Sequence, residues 1–420
     1  MKPTENSPVS SVNHIVSESA VDSMAPRLSY AQIFTKFLRF GLLAWGGPVA
    51  QIAMIRHELV EEEHWVSAPR FNRLLAVYQV LPGPEAQELC VFFGTLPRGR
   101  LGGFLAGLAF MLPGFLLMFA LSWLYLSTNI TQTVAAAAFL GVQPAVIALI
   151  VRAVHRIGEH VLLDRWLWSI ALVAGLAAYA GTPFWVTLPI AGVAYMFGAR
   201  QQSVAAGLLM TVLVGFGLYF AWSMFGGVPA GTTPAVQAVA EQKPPLIELF
   251  FSGLKAGLLT FGGAYTVIPF LRDDAVGNGW MTDAQFLDGL ALSGILPAPL
   301  IIFSTFVGYF GGGPFGAIVM TIGIFLPAFC FTLFFHDQLE KLLDNKNIRT
   351  ILEGVSAAVV GLIAATTLEL GYKTLMNVPG LFIPVAIFVA SLAALYAIVA
   401  KTTVVWVVLA AAVAGLIFFR

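Results

Sequence analysis

Long apolar runs separated by short polar stretches occupy nearly the whole chain beyond residue 28. About thirteen are legible, at 36–55, 74–96, 103–125, 134–153, 166–181, 183–199, 203–224, 250–271, 288–310, 313–335, 350–371, 379–399 and 402–419. Most approach the roughly 20 residues that a helix needs to span a bilayer. The pattern predicts an all-α polytopic membrane protein with 10 to 13 spanning segments, the short pair 166–181 and 183–199 giving the weakest signal.

The runs repeat. GLLAWGGPVAQIAMIR, from Gly41 to Arg56, recurs as GLLTFGGAYTVIPFLR, from Gly257 to Arg272. Trp65 and Trp280 follow, then, at one shared spacing, Pro82-Gly83-Pro84 and Pro297-Ala298-Pro299. Leu112-Pro113-Gly114-Phe115 and Leu326-Pro327-Ala328-Phe329 close the two series. Helix breakers repeated inside apolar segments are how two-fold transporters mark their binding site. Seven segments precede the second copy, an odd number, so the copies enter the membrane from opposite faces. The expected organisation is a disordered cytoplasmic tail (1–28), a first repeat (29–225), a flexible periplasmic linker rich in Gly, Pro, Thr and Ala (226–248) and an inverted second repeat (249–420), with broken or re-entrant helices.

Composition agrees: 58% of residues are hydrophobic, 10% charged, and mean hydropathy is +0.85. The balance of 22 Lys and Arg against 22 Asp and Glu excludes the concentrated basic surface that a nucleic-acid partner requires. The polar, Ser-containing N-terminus has no apolar core of the signal-peptide kind, so it is expected inside. Positive charge then sorts inward, at Arg98 and Arg100, Arg152, Arg156 and Arg165, Arg200, Arg272, Lys341, Lys346 and Arg349, and Lys401. Residues 56–73 are the exception, carrying Arg56, Arg70 and Arg73 on the outside; a re-entrant first or second segment would repair it.

The breakers suggest chemistry. Gly46-Gly47 and Gly262-Gly263 weaken a helix in mid-segment, Pro48 interrupts its hydrogen bonding, and Pro84 and Pro299 suit the first turn of a restarted helix. Up to four half-helix N-termini would then aim at the bilayer middle, each equivalent to roughly +0.5 charge, which suits an anion. Cations stand at matched positions: Arg39 with Lys255, and Arg56 with Arg272. The plainer reading of all four is snorkelling to the headgroups. Glu85 and Glu88 follow Pro84 near membrane depth, where an unpaired acid costs roughly 2.5 to 3.5 kcal/mol. Their counterparts are Leu300 and Phe303, so these two are candidates for coupling or gating in one half only.

Other motifs lead nowhere. His57-Glu58 lacks the second His of a zinc-protease motif, since Glu61 occupies that position. Cys90 and Cys330 are not repeat mates and read as packing thiols, and Glu369 as an interfacial residue. Neither a cofactor, a metal site nor an enzyme activity is expected.

The doubled Phe-Gly and Gly-Gly pattern (Phe40-Gly41 to Gly46-Gly47, Gly257 to Gly262-Gly263), the Pro-Gly-Pro and the Leu-Pro-x-Phe resemble the chromate transporter family, CHR, in its long two-domain form, over Phe37 to Phe419. The resemblance implies a bacterial inner-membrane protein that lowers cytoplasmic chromate by efflux, with sulfate as a mimic and competitor. The family's N-terminal motif carries over to Gly46, Gly47, Pro82, Gly83, Pro84 and Glu85; Ala298 and Leu300 depart from it in the second half. The expected site joins Arg39, Gly46, Gly47, Arg56, Pro82, Gly83 and Pro84 to Lys255, Gly262, Gly263, Arg272, Pro297 and Pro299. Membrane potential or a proton gradient would drive it. Sulfate or another oxyanion as substrate, and an anion channel as mechanism, are the alternatives, and a homodimer is compatible with the pattern.

Overall fold

The computed structural model describes residues 25–128, 135–226, 243–336, 338, 345–377, 380–398, 400 and 402–419. The expected disordered tail up to residue 24, linker residues 227–242, Lys341 and Lys401 lie outside the described residues. Among the described residues the secondary structure is entirely helical.

Helices α1 (Tyr30–Leu42) and α2 (Gly47–Arg56) divide the first apolar segment. Ser29 and Gln32 cap the start of α1 reciprocally, which satisfies amide groups that a helix start leaves free. The chain breaks at 43–46 because Gly46 and Gly47 take φ of 92° and 76°, a region that costs glycine nothing. α2 and the π-turn His57–Glu62 then lead back, so that Lys36 and Arg39 of α1 meet Glu58. Helix α3 (Ala68–Val80) ends before the Pro-Gly-Pro, and α4 (Glu85–Ser127) starts after it. Within α4 the dihedrals of Arg98 (φ −144°, ψ 23°) and Gly99 (φ 61°, ψ −157°) fold the chain into a hairpin. Its arms touch at glycines: a Cβ on Gly94 would stand 2.4 Å from that of Ala106, and Gln87 donates to the carbonyl of Gly107 at 2.9 Å.

Helices α5 (Ala135–Val161), α6 (Arg165–Tyr179), α7 (Phe184–Ala199) and α8 (Ser203–Gly226) complete the first half. The second half begins alike. After α9 (Leu246–Leu258) the chain breaks at 259–263 and resumes as a 3₁₀ turn, Ala264–Val267, running into α10 (Ile268–Ala275). Helix α11 (Asp283–Gly294) precedes the Pro-Ala-Pro, and α12 (Phe303–Phe334) follows it after the 3₁₀ turn Leu300–Ile302. Gly312 (φ −141°, ψ 18°) and Gly313 (φ 62°, ψ −151°) reproduce the α4 hairpin almost degree for degree. Helices α13 (Lys346–Asn377), α14 (Phe382–Ala397) and α15 (Thr403–Phe418) finish the chain.

Matched glycines make matched contacts. A Cβ on Gly41 would meet the Phe110 carbonyl at 2.4 Å, and one on Gly257 the Ile324 carbonyl at 2.3 Å, which holds α1 on α4 and α9 on α12 at backbone distance. Gly141 on Gly415 and Gly175 on Gly361 bring α5 to α15 and α6 to α13 equally close.

Among the described residues, five helices (α4, α5, α8, α12 and α13) are long and apolar enough to cross a membrane, and four more (α6, α7, α14 and α15) are shorter but apolar. The expected thirteen segments therefore do not appear as thirteen single helices. Segments 36–55, 74–96, 250–271 and 288–310 are each two helix pieces around a break. Half a crossing, a turn and half a crossing back carry the same apolar length as one crossing.

Candidate functional site

The breaks of the two halves converge. The amide of Gly83, in the Pro-Gly-Pro turn, donates to the carbonyl of Thr260 in the second half's 259–263 turn at 2.9 Å. A Cβ on Gly83 would lie 3.4 Å from that of Ala328, in the second Leu-Pro-x-Phe. Reciprocally, a Cβ on Gly114, in the first Leu-Pro-x-Phe, would lie 2.4 Å from that of Ala298 in the Pro-Ala-Pro turn. Each proline turn thus seats on the long helix of the other half, Pro82-Gly83-Pro84 on α12 and Pro297-Ala298-Pro299 on α4. Proline suits these turns because it has no amide donor to leave stranded.

Of the glycine pairs, Gly262 and Gly263 are half-buried, with α5 residues Ile157 and Val161 3.7 to 4.0 Å from their would-be Cβ positions. Gly47 faces open space, with Leu42, Leu43 and Val49 exposed around it. The two halves are therefore packed unequally. The amide of Ala298 bonds back to Leu296, where exact symmetry with Gly83 would send it to the first half's 43–46 turn.

All four sequence-predicted cations hold carboxylates. Arg39 pairs with Glu58, which Lys36 also meets at 3.0 Å. Lys255 pairs with Asp274, which also accepts from Ser252 at 2.6 Å. These two clusters occupy repeat-matched positions and join the two limbs of each broken segment. Arg56 meets Glu61 at 3.0 Å. Arg272 donates to Asp283 at 2.7 Å and through both terminal nitrogens to Glu369 at 2.8 Å, and Lys373 completes that network. Glu369 is thus an ion-pair partner rather than a lone interfacial acid. Fixed pairs of this kind already neutralise the charge that an anion would need.

Glu85 and Glu88 differ from every other acid described. They open the α4 arm directly after the Pro-Gly-Pro turn and are 7% and 0% exposed. Oε2 of Glu85 and both carboxylate oxygens of Glu88 have no hydrogen-bond partner among the described residues. Oε1 of Glu88 lies 2.9 Å from where a Cβ of Gly83 would be, so this carboxylate touches the turn that binds Thr260. A buried acid without a donor is costly to keep, and sites where that cost is tolerated are commonly functional.

Two features escaped the sequence reading. Asp288, 4% exposed on α11, accepts from Tyr125 at 2.7 Å and Gln143 at 3.1 Å, tying α11 to α4 and α5 across the halves. An acid opening the apolar run 288–310 was its signal. Arg152, on α5, is partly buried. Its place at the last residues of the run 134–153 made it look like a loop charge.

A sequence profile of the family described as Chromate transporter matches residues 31–232 and 247–416. A chromate transport protein of Pseudomonas aeruginosa is 58% identical over 402 residues, covering 96% of this chain and 95% of that protein. A probable chromate transport protein of Synechococcus elongatus is 32% identical over 94% of this chain and 97% of its own. A chromate transport protein of Cupriavidus metallidurans is 30% identical over 84% and 86%. No solved structure matches significantly.

Proposed function

The chain belongs to the chromate transporter family, and on that premise we propose that it is a secondary transporter that exports chromate across the bacterial inner membrane and so confers chromate resistance. The relatives named as chromate transport proteins supply the substrate, a tetrahedral dianion. The observation that carries the mechanism is the crossing of the proline turns, with Gly83 bonded to Thr260 and each turn seated on the other half's long helix.

The hairpins support an inverted arrangement. Lys36 and Arg39 meeting Glu58, and Arg98 donating to the carbonyl of Leu28 at 2.7 Å, gather the ends of α1, α2 and the first α4 arm at one face. Five crossings, by the second α4 arm and α5 to α8, carry the chain to the opposite face. From there α9 and α10 enter and return, with Lys255 pairing Asp274 as Arg39 pairs Glu58. Arg56, Arg70 and Arg73 then fall on the same face as Arg98 and Arg100, inside with a cytoplasmic N-terminus, while Lys255 and Arg272 move to the opposite face, where Asp274, Asp283 and Glu369 pair with them.

In this reading chromate passes where the turns meet, and rocking of one half against the other exposes the site alternately. The unequal packing of the 43–47 and 259–263 turns is what one end state of such a cycle requires. An inside-negative potential drives a dianion outward by about twice 2.3 kcal/mol per 100 mV, so voltage suffices for efflux. Protonation of Glu85 or Glu88 modulates it, because a neutral acid does not repel the arriving anion. The test is chromate uptake into inverted membrane vesicles, with the potential and the pH gradient imposed separately and sulfate and molybdate as competitors. Saturable chromate uptake driven by an interior-positive potential is expected; sulfate uptake without chromate uptake, or flux that neither saturates nor shows counterflow, would refute the assignment.

A further inference from the structure

We propose that the face of α3 bearing Asn72, Ala76 and Gln79 walls the aqueous path that leads the transported oxyanion from the cytoplasm to the Pro-Gly-Pro turn, in a state open to that side; this rests on the oxyanion-transport reading above. At 3.6 residues per turn the three side chains fall within about 60° of arc, and all three are exposed. Phe71, Leu74 and Tyr78, on the other side of the helix, are buried. The polar side of α3 is therefore turned away from the protein's own packing. Held against hydrocarbon, the amides of Asn72 and Gln79 would lose their hydrogen bonds, whereas a water-filled cleft satisfies them.

Depth separates this face from a set of headgroup contacts. Arg73, at its edge, stands near the start of α3 and reaches the membrane surface from there. Gln79 lies about 16 Å from that start at 1.5 Å per residue, near half of the roughly 30 Å hydrocarbon core, and just before Pro82. Pro82 is itself half-buried where Pro297 is buried, so the exposure continues from α3 onto the turn.

The second half shows the same face closed. At the spacing that relates Trp65 to Trp280 and Pro82 to Pro297, Asn72, Ala76 and Gln79 match Leu287, Ala291 and Gly294 of α11. Leu287 and Ala291 are each 2% exposed, and a Cβ on Gly294 would meet Val404 of α15 at 3.5 Å. Arg73 matches Asp288, whose bonds to Tyr125 and Gln143 hold α11 on α4 and α5. One face is polar and uncovered, its repeat mate apolar and covered. That contrast is what the open and closed sides of an alternating-access carrier require.

The test uses the full chain with Cys90 and Cys330 replaced by alanine, and a membrane-impermeant thiol reagent. Ala76→Cys and Gln79→Cys are expected to label in inverted vesicles and not in intact spheroplasts, while Ala291→Cys labels only after denaturation. Saturating chromate should slow labelling of Gln79→Cys at least fivefold and leave that of Glu62→Cys unchanged. Ala76→Trp, which narrows the path, should lower chromate flux at least tenfold. The proposal is overturned if neither Ala76→Cys nor Gln79→Cys labels before denaturation, if they label from the periplasmic side, if Ala291→Cys labels as fast as Ala76→Cys, or if chromate gives no protection. A disulfide joining two copies of the Gln79→Cys variant would overturn it too, by giving this face to a second chain. Absence of saturable chromate flux in the unmutated protein would overturn the parent reading, and the oxyanion path with it.

Discussion

A methyl group at Gly114 would stand 2.4 Å from the Cβ of Ala298, whereas the mirror contact, Gly83 on Ala328, leaves 3.4 Å. One partner of each pair is glycine and the other alanine, so the crossing tolerates a single methyl on each side. Gly114→Ala is therefore expected to destabilise the protein by about 1 to 3 kcal/mol through overpacking, read as a lower unfolding temperature in detergent. Adding Ala298→Gly should return it toward wild type, because the methyl has only changed sides. No recovery in the double variant would mean that the two turns do not seat on one another. Glu88 and Glu85 add a second residue-scale expectation. The glutamine variants mimic the neutral acid, so if protonation favours the anion, wild-type flux should fall as pH rises and Glu85→Gln should not follow. A pH profile of Glu85→Gln identical to wild type would return Glu85 to a purely structural role.

The broken segments set the scale above. Arg39 with Glu58 and Lys255 with Asp274 tie the two limbs of α1–α2 and α9–α10 together. Lys255→Ala is accordingly expected to lower maximal flux while leaving the half-saturating chromate concentration unchanged, and Asp274→Ala to do the same; a raised half-saturation confined to Lys255→Ala would make it a substrate contact instead. The sequence announced the breaks, because Gly-Gly and Pro-x-Pro are conformationally distinct from anything a continuous helix tolerates. It did not announce the return. An apolar run such as 36–55 has one length whether it crosses or turns back at its middle, and the pairing of Arg39 with Glu58 that decides the matter spans two elements. The same reason hid the partners of the matched cations. Glu58 read only as half of a failed zinc-protease motif until packing set it against α1. Glu85 and Glu88 were legible as unusual acids because a break precedes them and no acid stands at Leu300 or Phe303.

At the scale of the molecule, the proposed arrangement is two similar halves inserted in opposite directions. The shared dihedrals at Arg98-Gly99 and Gly312-Gly313, and the shared contacts of Gly41 and Gly257, make the likeness of the halves a matter of backbone geometry as well as sequence. Opposite insertion requires that the loop after α2 and the loop after α10 open to different compartments. The most direct measurement is labelling of single cysteines at Glu62 and Asn278, in a background with Cys90 and Cys330 replaced by alanine, with a membrane-impermeant thiol reagent. The account predicts that Asn278→Cys is labelled in intact spheroplasts and Glu62→Cys only in inverted vesicles; labelling of both from the same side would contradict it.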